Sequence, residues 1–206
     1  GLLRSCYDAS LHLMFKHRII SAAVAAILAL TTAACDPEEI LSAIPAAEVS
    51  QEQSDHLATV AYVNNLPYQH GDPAPALEAF QIVAADRGWA PADIQAWLPF
   101  ADAVMARESG YCPNPRRGAI FTGVGCELKR QGRASDSGFA QAIGMWYRGP
   151  GTFLCDHEGL CSSEAITSSA WSSAVSFIAI LERPNGSSNW CYTDKLRRGY
   201  VCRLRP

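Results

Sequence analysis

The chain has 206 residues, 49% hydrophobic, 18% charged and 9% aromatic, which suits one globular domain with a real core and small attachments. That composition excludes an intrinsically disordered chain, a collagen-like repeat and a polytopic membrane protein. The formal net charge of -3 is uneven: residues 35–100 hold ten Asp and Glu against the single base Arg87, while residues 101–206 hold nine against thirteen Lys and Arg.

In chain order, Lys16, His17 and Arg18 precede an apolar run over 19–30, then the small residues Thr31, Thr32, Ala33 and Ala34, then Cys35. This is the order of an export signal over 14–35, and the run is too short to span a bilayer comfortably. Met14 is a natural start, so residues 1–13 are expected to be an upstream segment with no part in the fold. Thr32-Ala33-Ala34-Cys35 resembles the lipobox of bacterial lipoproteins, which implies lipidation at Cys35. Thr32 stands where that motif usually has an aliphatic residue, so release by ordinary signal peptidase is the alternative. Residues 36–54, acidic and lacking aromatics, are expected to be a linker ahead of a domain over 55–206.

Ser54 or Asp55 can cap a helix through Leu57, Val60, Ala61 and Val63 that ends at Asn64-Asn65 and Pro67. After Gly71-Asp72-Pro73, the helical spacing of Leu77, Phe80, Ile82, Val83 and Ala84 predicts a second helix, stopped at Arg87-Gly88. Pro91 suits the first turn of a third, with the apolar stripe Ile94, Trp97, Leu98, Phe100, Ala101, Val104 and Met105. Pro99 is expected to interrupt or bend it, and Glu108-Ser109-Gly110 to end it.

Residues 111–131 are rich in Gly, Pro and Arg and read as a disulfide-tied loop with a short hairpin at Ile120-Phe121. Residues 139–147 are expected to be a helix or a half-buried segment, and Ser163 or Thr167 to start another helix. Ala174, Val175, Phe177, Ile178, Ile180 and Leu181 predict a buried central helix stopped by Pro184-Asn185-Gly186. With no repeat and no alternating strand series, the fold class is mainly α, an acidic helical part over 55–95 preceding a core over 96–206.

Of eight cysteines, six remain once Cys6 and Cys35 are set aside: Cys112, Cys126, Cys155, Cys161, Cys191 and Cys202. In an exported chain an even set implies up to three disulfides. The pairing stays open, the set Cys112–Cys126, Cys155–Cys161 and Cys191–Cys202 being the one that closes the smallest loops. Zinc is the competing reading, but no pair has C-x-x-C spacing and neither His70 nor His157 belongs to a ligand-spaced pair, so no metal and no cofactor is expected. The bases Lys195, Arg197, Arg198, Arg203 and Arg205 near the end would attract a polyanion, but no nucleic-acid-binding motif is present.

Glu108 ends a strongly apolar helix, where backbone carbonyls turn negative partial charge toward it and disfavour the carboxylate. That environment suits a general acid working near neutral pH. Ala106-Arg107-Glu108-Ser109-Gly110, with Ser137-Gly138-Phe139-Ala140-Gln141 after the loop, resembles the core of the lytic transglycosylases and goose-type lysozymes over about half the chain, residues 97–192. The resemblance implies a lysozyme-like fold in which Glu108 protonates the glycosidic oxygen. Ser109 stands beside it, and Ser137, Gly138 and Gln141 belong to a sugar-contacting turn. Tyr192 is the nearest match to the family's later tyrosine.

Phe139-Ala140 replaces the usual Leu-Met, and the family's Tyr-Asn-Ala-Gly word is absent. Asp136, Glu127 and Glu182 are the carboxylates available if a second one is used. The implied partner is peptidoglycan glycan, cut between N-acetylmuramic acid and N-acetylglucosamine by a monomer in the cell envelope, with membrane attachment if Cys35 is lipidated. The alternative is a disulfide-stapled, non-catalytic wall-binding lipoprotein of the same shape.

Overall fold

The computed structural model describes residues 50–123, 125–194 and 201–206. The export segment with Cys35, residues 36–49 of the expected linker, and Lys195, Arg197 and Arg198 lie outside the described residues. The chain from Ser50 onward is mainly helical: α1 (Gln51–Asn64), α2 (Pro73–Asp86), α3 (Pro91–Glu108), α4 (Phe153–Glu158), α5 (Ser163–Thr167), α6 (Ala170–Leu181) and α7 (Ser188–Asp194). Among the described residues a small antiparallel hairpin, β1 (Ile120–Phe121) with β2 (Leu128–Arg130), and 3-10 turns at Gly144–Trp146 and Val201–Leu204 accompany the helices. Among the described residues no helix is long and apolar enough to cross a membrane.

Local chemistry sets the helix starts. Ser50 and Gln53 form a reciprocal capping box, Ser50 Oγ accepting from the Gln53 amide at 3.2 Å, so α1 begins ahead of the expected cap at Ser54 or Asp55. Residues 51–54, expected in the linker, are therefore helical. Asp72 caps α2 through the Ala74 amide at 3.0 Å with Pro73 in the first turn. Helix α3 runs through Pro99 as one element; Pro99 is exposed, so the backbone bond it removes is lost on the solvent side.

Helix α6 carries the core. Its positions 173–181 are all buried, and it packs against α1, α2, α4 and α5, while α3 lies on α2 and on the C-terminal 3-10 turn. Ala76, Ala79 and Ala84 keep the α2 surface shallow enough for close approach. Aromatic rings link these layers: Phe80–Phe177 at 5.7 Å, Phe177–Trp190 at 4.9 Å and Phe100–Trp190 at 6.1 Å between ring centroids. The half-buried segment expected over 139–147 is a buried turn followed by a 3-10 turn, with no α-helix. Disulfides join Cys112 to Cys126, Cys155 to Cys161 and Cys191 to Cys202, the short-range set.

A charged staple locks the far ends of three elements. Arg87, just past α2, pairs with Glu158 of α4 at 2.9 Å and with Glu182, just past α6, at 2.6 Å; Trp89 Nε1 donates to Glu182 at 2.8 Å. Burial alone would raise the Glu182 carboxyl, but hydrogen bonds from Arg87 and Trp89 and the Arg87 charge outweigh it and hold it below the ordinary 4.5. A depressed folded-state value means stability that is complete above the unfolded value and lost as pH falls through the folded one. Glu182→Gln should thus cost about 1 kcal/mol at neutral pH, this half-exposed group being partly screened. Urea midpoints of variant and parent should converge as pH drops below 4.5.

Candidate active site

The site begins where α3 stops. Gly110, in the left-handed region at φ 59°, ends the helix, and Tyr111 follows at φ 69° with its hydroxyl donating back to Asp102 at 2.7 Å. Burial first, then the bond to and charge of Asp102, push the Tyr111 phenol up to about 12, so it stays a donor. The turn leaves Glu108 as the last helical residue, its side chain 24% exposed. Arg107 Nε donates to Glu108 Oε1 at 2.8 Å, and Arg107 also reaches the Trp190 carbonyl of α7 at 3.3 Å.

A second wall comes from the turn 137–142. Ser137 and Ala142 exchange both backbone hydrogen bonds, at 3.1 and 2.8 Å. Between them Gly138 adopts φ 78° and Gln141 φ 50°. A non-glycine residue in this region costs about 1 kcal/mol or more and persists only where its surroundings fix it. Here Gln141 Nε2 donates to the carbonyls of Pro115 and Gly138, each at 2.9 Å. The amide orientation is thereby set, and its buried Oε1 has no hydrogen-bond partner. Underneath, Ser173 of α6 accepts from the Phe139 amide at 2.7 Å, tying the turn to the central helix.

These walls enclose a cleft of about 710 Å³. Glu108, Asp136 and Gln141 line it together with Arg107 and Arg117, and Ser188, Asn189 and Trp190 of α7 close one side. Each carboxylate has a guanidinium beside it, since Arg117 pairs with Asp136 at 3.2 Å. Trp190 donates its indole N–H to the Ala140 carbonyl at 2.7 Å, joining the two walls. The cleft thus brings together two carboxylates, each paired with a guanidinium, and the side-chain amide of Gln141.

Glu108 and Gln141 are brought together in this cleft; Ser109, Ser137 and Gly138 are not among the residues lining it. Ser109 is buried, and its hydroxyl turns back to the Met105 carbonyl at 3.2 Å, an acceptor it shares with the Ser109 and Tyr111 amides. Ser137 is fully buried and donates to the Ser135 carbonyl, and Gly138 packs under the turn. Tyr192 falls in α7, but its side chain lies outside those described. Of the three further carboxylates, Asp136 lines the cleft, Glu182 is committed to Arg87, and Glu127 lies on the exposed hairpin.

Arg107, Arg117, Asn189 and Trp190 line the cleft without being expected there; the sequence signals are that Arg107 adjoins Glu108 and that Asn189 and Trp190 stand just ahead of Tyr192. Among the described residues no group of three or more His, Cys, Asp or Glu could hold a metal ion. Comparison with known protein families, with curated proteins and with solved structures finds no match to this chain.

Proposed function

We propose that this protein cuts peptidoglycan glycan strands between N-acetylmuramic acid and N-acetylglucosamine, on a lysozyme-like scaffold exported to the cell envelope and anchored through Cys35. The observation that carries the reading is that Glu108 and the buried Gln141, distant in sequence, line one cleft. The three disulfides are compatible with export.

In the proposed reaction Glu108 gives its proton to the bridging oxygen, and the C1–O4 bond breaks with its electron pair going to that oxygen. The oxygen of the substrate's own N-acetyl group meets the positive charge at C1. Arg107 Nε, 2.8 Å from Oε1, holds the Glu108 carboxyl group in position for the transfer. That carboxylate then takes a proton from the attacking hydroxyl. If the attacker is the muramic acid 6-hydroxyl the product has a 1,6-anhydro end; if it is water, a reducing end. Gln141, whose Oε1 has no hydrogen-bond partner, is the proposed acceptor for a sugar hydroxyl or acetamido N–H.

Mass spectrometry of fragments released from purified peptidoglycan tests this directly. Anhydro or reducing muramic acid ends are expected, and their identity assigns transglycosylase or hydrolase chemistry. Release of no glycan fragment by folded protein from several wall types would overturn the enzymatic reading in favour of a wall-binding lipoprotein.

A further inference from the structure

The hairpin region carries positive charge that is not spent inside the protein. Five bases lie between residues 116 and 133 against the single acid Glu127, in a chain whose net charge is -3. Arg116 pairs with Glu164 at 3.0 Å and Arg117 with Asp136 at 3.2 Å. Lys129, Arg130 and Arg133 are exposed and form no ion pair among the described residues. None of these three lines the cleft.

The ladder decides what the bases surround. Phe121 pairs with Leu128 and Ile120 with Arg130, so a bulge leaves Lys129 as the extra residue and two bases stand against one aliphatic side chain. Phe121 is half-buried against His70, with ring centroids 4.5 Å apart. Strand alternation then turns Ile120 the other way, where it is 44% exposed. A Cβ at Gly118 or Gly123 would meet nothing within 4 Å, so both ends of β1 border open space. The base of the hairpin is nevertheless fixed. The Cys112–Cys126 disulfide closes it, Asn114 Nδ2 donates to the Cys126 carbonyl at 3.0 Å, and Gln131 Nε2 donates to the Asn114 carbonyl at 2.9 Å. Presenting this face to a partner therefore costs little ordering.

A soluble polyanion offers phosphates to the cations but no apolar layer for an exposed isoleucine. The surface of an anionic bilayer offers both, phosphates at headgroup level and acyl carbon just beneath. We propose that the β1–β2 hairpin is a membrane-contact surface, with Ile120 entering the headgroup–acyl boundary while Lys129, Arg130 and Arg133 meet the phosphates of anionic lipids. The contact needs neither glycan cleavage nor lipidation of Cys35.

The test is co-sedimentation of the full, unlipidated chain with vesicles of mixed phosphatidylglycerol and phosphatidylcholine and with vesicles of phosphatidylcholine alone, at low ionic strength. Lys129→Gln, Arg130→Gln and Arg133→Gln together should weaken binding to the anionic vesicles about tenfold or more, for three bases near a charged surface. Binding to neutral vesicles and the melting curve should not change. The apolar run over 19–30 and the bases elsewhere are common to both proteins, so the difference reads the hairpin alone. Ile120→Ser should weaken binding to the anionic vesicles about threefold or more and leave binding to soluble polyphosphate as it was. A triple variant that holds anionic vesicles as the parent does overturns the proposal. So does undiminished vesicle binding by Ile120→Ser alongside loss of polyphosphate binding by the triple variant, which would make the surface one for a soluble polyanion.

Discussion

Glu108→Gln is expected to lower the rate of glycan release by about a thousandfold, the scale of a lost general acid. The substitution is close to isosteric, and its amide oxygen can still accept from Arg107 Nε, now 2.8 Å from Oε1. The side chain is 24% exposed at a helix end, so replacing its charge disturbs little packing. The thermal midpoint should therefore move by no more than about 4 °C, corresponding to about 1 kcal/mol of a weakened charged hydrogen bond. Release rates and melting curves on the same preparations separate the two effects. A variant that keeps its rate would move the acid role away from Glu108, with Asp136 the other carboxylate lining that cleft.

The helical skeleton was legible because it rests on local rules. The apolar spacing of α2, α3 and α6, the prolines at 73 and 91, and the left-handed Gly110 all act within a turn or two of chain. Even there a polar cap decided one boundary, since the Ser50–Gln53 pair lies in a stretch whose composition reads as linker. Glu108 and Gln141 could be found as words in the sequence, but Arg117 and Asn189 could not. Their place in the cleft depends on how the Cys112–Cys126 loop and α7 fold back, which no spacing encodes. Ser109 shows the converse: adjacency in sequence to Glu108 put it in the site, whereas its hydroxyl bonds back to the Met105 carbonyl one turn earlier. Ser173 is the residue sequence reasoning passed over, one of three serines in the otherwise apolar α6, and it holds the Gln141 turn from below.

That support makes Gly138→Ala a substitution with a large expected cost to the fold around the site. At φ 78° an alanine is strained before any contact is considered. Its Cβ would lie 2.7 Å from Ser173 Oγ and 2.9 Å from Ile166 Cγ2, and neither neighbour can retreat freely, because Ile166 is fully buried and Ser173 accepts from the Phe139 amide. The Gly138 carbonyl also accepts from Gln141 Nε2 at 2.9 Å, and its amide donates to Pro115 at 3.0 Å, so displacement would unseat Gln141. Strain, overpacking and a damaged buried bond together should cost about 2–4 kcal/mol, read from urea unfolding. Ser173→Ala identifies the source. Alone it strands the Phe139 amide and destabilises by about 1–3 kcal/mol, but in the double variant it removes one of the two collisions. The pair should therefore cost at least about 1 kcal/mol less than the sum of the singles. Additive costs would locate the strain away from Ser173, and would break the connection drawn between α6 and the Gln141 turn.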